Sequence, residues 1–165
     1  MLKIITPERL GEKFTQHVLS LKYTPRKISI HPESSNLIIN ELEANCLTTE
    51  EREKVRKEIS KVSRDRKYEK LDERKIGYYG AKPNNFSSCL RIISPHDLKT
   101  HFFMEFQHDE VLFTQYITET LGKPGETYLI LGTAMNPTLK PRSCQLGYIK
   151  CYLFEKDGKG IRFVH

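Results

Sequence analysis

No apolar run in this sequence approaches the roughly 18 residues that a membrane-spanning helix needs, so no helical membrane span is expected. The opening Met1-Leu2-Lys3-Ile4-Ile5-Thr6 runs straight into Pro7-Glu8-Arg9, without an apolar core or a small-residue cleavage site, and no secretory signal is expected. These two absences leave a cytoplasmic or nuclear address. Cysteine is sparse and scattered. Cys46, Cys89, Cys144 and Cys151 include no CxxC pair, and Cys89 and Cys151 lie in strand-like runs where a thiol serves as a small apolar residue. Free thiols are therefore expected rather than disulfides. Zinc is not expected either, because His96 and His101 lie near no cysteine at ligand spacing.

Catalytic patterns are missing as well. Gly122-Lys123-Pro124-Gly125 lacks the GxxxxGK[ST] phosphate loop and a following helix, so it reads as a loop between strands. His31 stands beside Pro32-Glu33-Ser34, but neighbours in one turn do not build a separated Ser–His–acid constellation with its oxyanion site. His108-Asp109 falls at another expected turn, and the pairs Asp109/Glu110 and Glu50/Glu51 read as solvated neighbours, not as a carboxylate dyad. The chain reads as not an enzyme. No cofactor, metal or small-molecule substrate is expected.

What is present is a polar chain with ample aromatic core material. Of 165 residues 38% are hydrophobic, with 8 Phe and 8 Tyr, and Lys and Arg outnumber Asp and Glu by 27 to 21. The net charge of +6 suits an acidic partner, whether RNA, DNA or an acidic protein face. One ordinary domain would account for the length.

The most telling stretch is Leu21–Glu43. Two runs rich in Ile and Leu, Lys27–Ile30 and Leu37–Leu42, flank His31-Pro32-Glu33-Ser34-Ser35-Asn36, a cluster of turn formers. Such a pattern predicts a β-hairpin. A repeat runs through the chain besides. Leu2-Lys3-Ile4-Ile5-Thr6-Pro7 matches Leu90-Arg91-Ile92-Ile93-Ser94-Pro95 position by position, and a further relative begins at Leu146. The strand-like runs downstream of the first two copies correspond in order and spacing, which points to repeated four-stranded units of the kind found in propeller blades. One unit is predicted as Arg26–His31, Leu37–Glu43, Ser87–Ser94 and Thr100–Gln107. The next is predicted as Glu110–Thr118, Tyr128–Ala134, Leu146–Glu155 and Ile161–His165. Leu2–Thr6, closed by Pro7, and Phe14–Leu19 would be the outer strands of a preceding blade. The expected fold is all-β with a helical insertion, about two and a half blades of an incomplete β-propeller ring. Residues 1–20 are the preceding blade's outer strands, 21–107 a blade with a charged insertion at 47–82, and 108–165 a second blade. Since a closed ring needs about four to eight blades, the arc is expected to leave apolar surface and strand edges bare.

The wording of these segments carries a resemblance. Tyr23-Thr24-Pro25-Arg26-Lys27, then Ile30-His31-Pro32-Glu33-Ser34, then Leu37-Ile38-Ile39 resembles subunit 3 of splicing factor 3B. The likeness continues through Ser88–Pro95, Leu129–Gly132, Lys140-Pro141-Arg142-Ser143 and Gly147–Leu153, and is weakest over Thr48–Lys82. Members of that family are large nuclear proteins built from three β-propellers, related to the large subunits of the damaged-DNA-binding and cleavage–polyadenylation factors. The resemblance implies the start of the third propeller and a nuclear location. It further implies a scaffold role in pre-mRNA splicing, with other splicing factor 3B subunits and ribonucleoprotein components as partners.

The insertion supplies the candidate contact residues. Thr48-Thr49-Glu50-Glu51 forms a capping box, and Val55, Ile59 and Val62 recur on one helical face. Thr48–Lys75 carries eleven basic and eight acidic side chains, mixed in sign. In the family the corresponding insertion is alanine-rich and acidic; here it is neither, and no role is carried over for it. Arg52, Arg56, Lys57, Lys61, Arg64, Arg66 and Lys67, with Tyr78 and Tyr79 beyond them, combine phosphate-neutralising charge with aromatic faces able to stack on bases. Interleaved Glu53, Glu58, Asp65 and Glu69 favour pairs within the helix instead. Two function classes are open: a splicing scaffold, or a nucleic-acid-binding module acting through this basic helix, as in a related DNA-repair or 3′-end-processing subunit.

Overall fold

The structure, a computed structural model, describes the backbone of residues 2–9, 13–62, 81–119 and 125–165, and the side chains from residue 16 onward among these except at 59, 60 and 62. Strands β1 (Leu2–Arg9) and β2 (Lys13–Leu19) pair with each other. Next come β3 (Thr24–Ile30) and β4 (Leu37–Ala44), helix α1 (Thr49–Val62), β5 (Phe86–Ile93) and β6 (Thr100–Glu105). The chain continues with β7 (Glu110–Glu119), β8 (Thr127–Met135), a short ribbon β9 (Thr138–Leu139) with β10 (Arg142–Ser143), β11 (Leu146–Phe154) and β12 (Ile161–Phe163). Two four-stranded antiparallel meanders result, β3-β4-β5-β6 and β7-β8-β11-β12. The fold is a partial β-propeller with a helical insertion, and its sheets do not close into a ring. Each strand expected from the repeat lies within a few residues of its observed counterpart.

Local chemistry accounts for the turns. The Ser35 N–H donates to the His31 carbonyl at 3.0 Å, and the His31 N–H to the Asn36 carbonyl at 2.9 Å, with Ser35 in the left-handed region. The β5–β6 turn repeats this: Leu98 N–H to Ser94 at 3.0 Å, Ser94 N–H to Lys99 at 3.1 Å, and Leu98 left-handed.

Two features depart from expectation. Pro7 does not close β1 but sits inside the ladder opposite Phe14, with an irregularity between Pro7 and Arg9. A strand with a single neighbour tolerates proline because no hydrogen bond is demanded of its outer edge. The β9–β10 ribbon, which extends the β8–β11 hairpin, has no counterpart in the repeat.

Successive strand residues face opposite ways, and β4 uses both faces. Ile38 enters the core between the two sheets, whereas Ile39 packs on the other face with Ile93, Leu19 and Leu21. The core between the sheets joins Ile38, Leu90, Ile92 and Phe106 to Leu112, Leu129, Leu131, Tyr152, Phe154 and Ile161. Buried polar groups fix the register of β7 on the first sheet. Asn40 Nδ2 donates to the Leu112 carbonyl at 2.9 Å, Gln115 Nε2 to the Ile38 carbonyl at 3.0 Å, and Ser88 Oγ to the Glu110 carbonyl at 2.7 Å. On the outward faces, Ile28, Tyr116 and Ile149 stay exposed, Ile149 by 77%.

At one end of the sheets two hairpin turns interlock. Asn36 Nδ2 donates to the Gly158 carbonyl at 2.9 Å, and the His31 ring meets Phe154 edge-on at 4.5 Å. Gly158 has φ +65°, and a Cβ there would lie 2.4 Å from Ser34 Oγ, so only glycine fits. His31 Nδ1 accepts the Ser34 N–H at 3.2 Å, and burial holds the imidazole below its ordinary pKa, with Glu33 opposing. The neutral ring belongs to the folded state, so its contribution is complete above the unfolded pKa of about 6.5 and is lost as pH falls below it. Lowering the pH from 7.5 to 5.5 is expected to reduce the urea midpoint, with a slope from this residue of at most about 1.4 kcal/mol per pH unit. His31→Gln should flatten that slope; an identical pH dependence in the variant would contradict it.

Candidate functional site

The face of the first sheet remote from the second carries a continuous charged cluster at the root of α1. It begins in the middle of β4, where Glu41, next to Asn40, is completely buried. Its two oxygens are both used: Oε1 accepts from Arg91 Nε at 2.7 Å and Oε2 from the Tyr23 N–H at 2.9 Å. Cross-strand register brings this about, since β4 lies between β3 and β5 and residue 41 pairs with residue 89, beside Arg91. The Arg91 guanidinium then lies 5.1 Å from the centre of the Phe103 ring, and Lys22 Nζ approaches the same ring at 5.4 Å.

Glu105, at the end of β6, gathers the second half of the cluster. Its carboxylate accepts from Lys22 Nζ at 2.8 Å, from the Tyr23 hydroxyl and from the Thr49 N–H at 3.3 Å. Burial alone would raise the Glu105 pKa; these three donors more than offset it and hold the group below the usual carboxylate range. The Tyr23 hydroxyl moves well above its usual range, through burial first and then the bond to Glu105. Helix α1 is thereby tied to the sheet at its first residues. Thr48 caps it, its Oγ1 accepting the Glu51 N–H at 3.5 Å and its carbonyl accepting the Arg52 N–H at 3.0 Å.

The candidate contact residues distribute unevenly over this frame. Arg52 turns inward: its Nη2 donates to the Tyr23 hydroxyl at 3.2 Å and its Nε to the Thr48 carbonyl at 3.4 Å. Arg52 is thus part of the helix anchor. Arg56, Lys57 and Lys61 are exposed on α1, the first two already engaged in polar or electrostatic interactions. Lys54 lies 2.8 Å from both Glu50 and Glu51 and is neutralised within the helix. Arg64, Arg66, Lys67, Tyr78 and Tyr79 lie outside the described residues, as does much of the 47–82 insertion.

A second buried carboxylate, Glu110 at the start of β7, accepts from Thr133 Oγ1 at 2.7 Å and from Lys150 Nζ, whose ammonium lies 5.4 Å from the Phe106 ring centre. The sequence reads Glu110, beside Asp109, as a solvated carboxylate, and the structure corrects this: it is 2% exposed and held by Thr133 and Lys150, while Glu41 draws no reading from the sequence. The strands give little signal, since β4 also carries Asn40 and Glu43 and β7 also carries Gln115 and Glu119, and the partners that a buried charge requires lie 50 and 40 positions away.

A recess of about 490 Å³ lies where the two interlocked turns meet, lined among others by His31, Glu33, Thr127, Glu155, Lys156 and Arg162. No three His, Cys, Asp or Glu side chains among the described residues are placed to hold a metal ion. Cys46 and Cys89 are buried with Tyr23 in one small cluster, and burial pushes the Cys46 thiol up to about 11. Cys144 is exposed, and all four thiols are free. The arrangement orients charged groups toward one another and fixes a helix on a sheet.

Comparison with known proteins locates this fold. No family model matches the chain. Over 99% of its length it is 30% identical to spliceosome-associated protein 130 A of Arabidopsis thaliana, covering 15% of that protein. It is 29% identical to splicing factor 3B subunit 3 of Danio rerio, covering 15% of it, and 30% identical to the pre-mRNA-splicing factor rse1 of Neurospora crassa, covering 13%. The chain therefore spans about one-seventh of the length of these relatives. With a match along nearly its whole length to these splicing factor subunits, the chain belongs to the splicing factor 3B subunit 3 family.

Proposed function

We propose that this chain is a non-catalytic scaffold module acting in pre-mRNA splicing in the nucleus, where it holds protein partners of the branch-site-recognising small nuclear ribonucleoprotein. The observation that carries this reading is the match of 99% of the chain to a part of splicing factor subunits. The build of the chain supports it: the buried carboxylates Glu41 and Glu110 are consumed in internal ion pairs, which stiffens a frame without supplying acid–base chemistry. By its resemblance the segment corresponds to the start of the third propeller, with 21–107 and 108–165 as successive blades and 1–20 as part of the one before.

A second reading assigns nucleic-acid binding to α1, and the exposure of Arg56, Lys57 and Lys61 favours it. One experiment separates the two. The tagged full chain, expressed in nuclei, is expected to co-purify identified splicing factor 3B subunits after RNase treatment and at high salt. Capture that disappears with RNase, together with a steep salt dependence of oligouridine binding, would replace the scaffold with the RNA-binding reading.

A further inference from the structure

The β8–β11 hairpin continues past the body of the second sheet as a stiff ribbon. Its pairing stays in step, Met135 with Leu146, Thr138 with Ser143 and Leu139 with Arg142, so Lys140-Pro141 forms the tip. Thr138 Oγ1 donates to the Pro141 carbonyl at 2.7 Å and lies 2.7 Å from Ser143 Oγ, while the Gln145 N–H donates to the Met135 carbonyl at 3.0 Å. Yet this ordered ribbon buries little. Leu139 is 57% exposed, Leu146 51% and Tyr148 42%.

The cations of the sheets fall into two groups, and Arg26, Lys27 and Arg162 share with the tip the lack of an ion pair or side-chain hydrogen bond to any described residue. Lys22, Arg91 and Lys150 each meet a carboxylate, whereas Lys140 and Arg142 form no ion pair or side-chain hydrogen bond with any described residue. Leu139 and Arg142 are directly paired across the ribbon and so share a face, as do Leu146 and Tyr148 two residues apart on β11.

We propose that this ribbon, through Leu139, Lys140, Arg142, Leu146 and Tyr148, is a docking arm for an acidic protein segment that carries apolar side chains. Unpaired cations ask for carboxylates, and the apolar side chains beside them ask for apolar anchors. A ribbon already held by its own hydrogen bonds loses little conformational freedom on binding. Single-stranded RNA fits less well, since successive bases need several stacking faces and the ribbon offers only Tyr148. A second copy of the chain, itself at +6, is a poor electrostatic match. The inference rests on the scaffold reading and names one surface for it.

The test uses the full chain and a short fluorescent peptide of glutamate and leucine, with a lysine–leucine peptide and oligouridine as the other probes. The acidic peptide is expected to bind, and Lys140→Glu with Arg142→Glu should weaken it about tenfold or more, a change of roughly 1.4 kcal/mol. Leu139→Ser with Leu146→Ser should weaken it by a similar factor, and unchanged circular dichroism and urea midpoints would show that both variants fold. Binding by the variants equal to that of the unaltered chain, no binding of the acidic peptide at all, or preference for oligouridine or the basic peptide would overturn the proposal. The same variants in the nuclear co-purification distinguish the two levels. If the unaltered chain captures no splicing factor 3B subunit, the scaffold reading fails. If it does, and the charge-reversed ribbon captures them equally well, the ribbon proposal alone fails.

Discussion

Replacing Glu41 by alanine is expected to cost about 3–5 kcal/mol of folding stability, a large share of the roughly 5–15 kcal/mol a domain of ordinary stability holds. The side chain is completely buried, and both oxygens are engaged, by Arg91 Nε at 2.7 Å and the Tyr23 N–H at 2.9 Å. Truncation strands a guanidinium whose side chain is only 15% exposed and leaves a buried N–H without its acceptor. The damage should spread to α1, because Tyr23 is the residue on which Glu105 and Arg52 converge. Urea unfolding monitored by circular dichroism measures the cost. The double variant Glu41→Leu/Arg91→Met removes both charges together and should recover much of it, since an apolar pair is often as stable as the ion pair it replaces. A Glu41→Ala cost below about 1 kcal/mol would mean that the pair is solvated and not a buried strut.

The second large effect is expected where the two sheets meet. Leu90→Ala should cost about 2–5 kcal/mol, because Leu90 is wholly buried among Ile38, Ile92, Leu129 and Leu131 and the space it vacates cannot fully collapse. Ile149→Ala removes a side chain of the same kind from β11, but one that is 77% exposed, and should change stability by no more than about 0.5 kcal/mol. The contrast tests the architecture directly. Equal costs for the two substitutions would show that the buried and open faces of the sheets are not distinguished in solution.

Much of the fold was legible because its determinants are local. In His31–Asn36, serine and asparagine side chains and a proline specify a turn from within six residues, and the structure places the turn there. Alternation along β8 and continuous burial along β5 reflect which faces those strands bury, and the matched hexapeptides mark equivalent strands. The capping of α1 by Thr48 is likewise a matter of three neighbouring residues. The candidate site was legible only in part. The sequence sets Arg52 among outward-facing basic residues, yet it turns to Tyr23, a partner 29 positions away.

The sequence by itself determined the strands of the two four-stranded sheets, the His31–Asn36 turn, the helix start and the family of the chain, since each depends on side chains close in sequence or on the wording of short segments. Only the tertiary structure decided which charges are internal and which remain available. Glu41 and Arg91 are 50 residues apart, and Glu110 and Lys150 are 40 apart. Each pair meets because sheet register brings its two members together in a buried layer, where an ionised group without a partner is too costly to keep. Lys140 and Arg142 carry the same kind of charge, but the β9–β10 ribbon holds them beyond that layer, in water, where no internal partner is required.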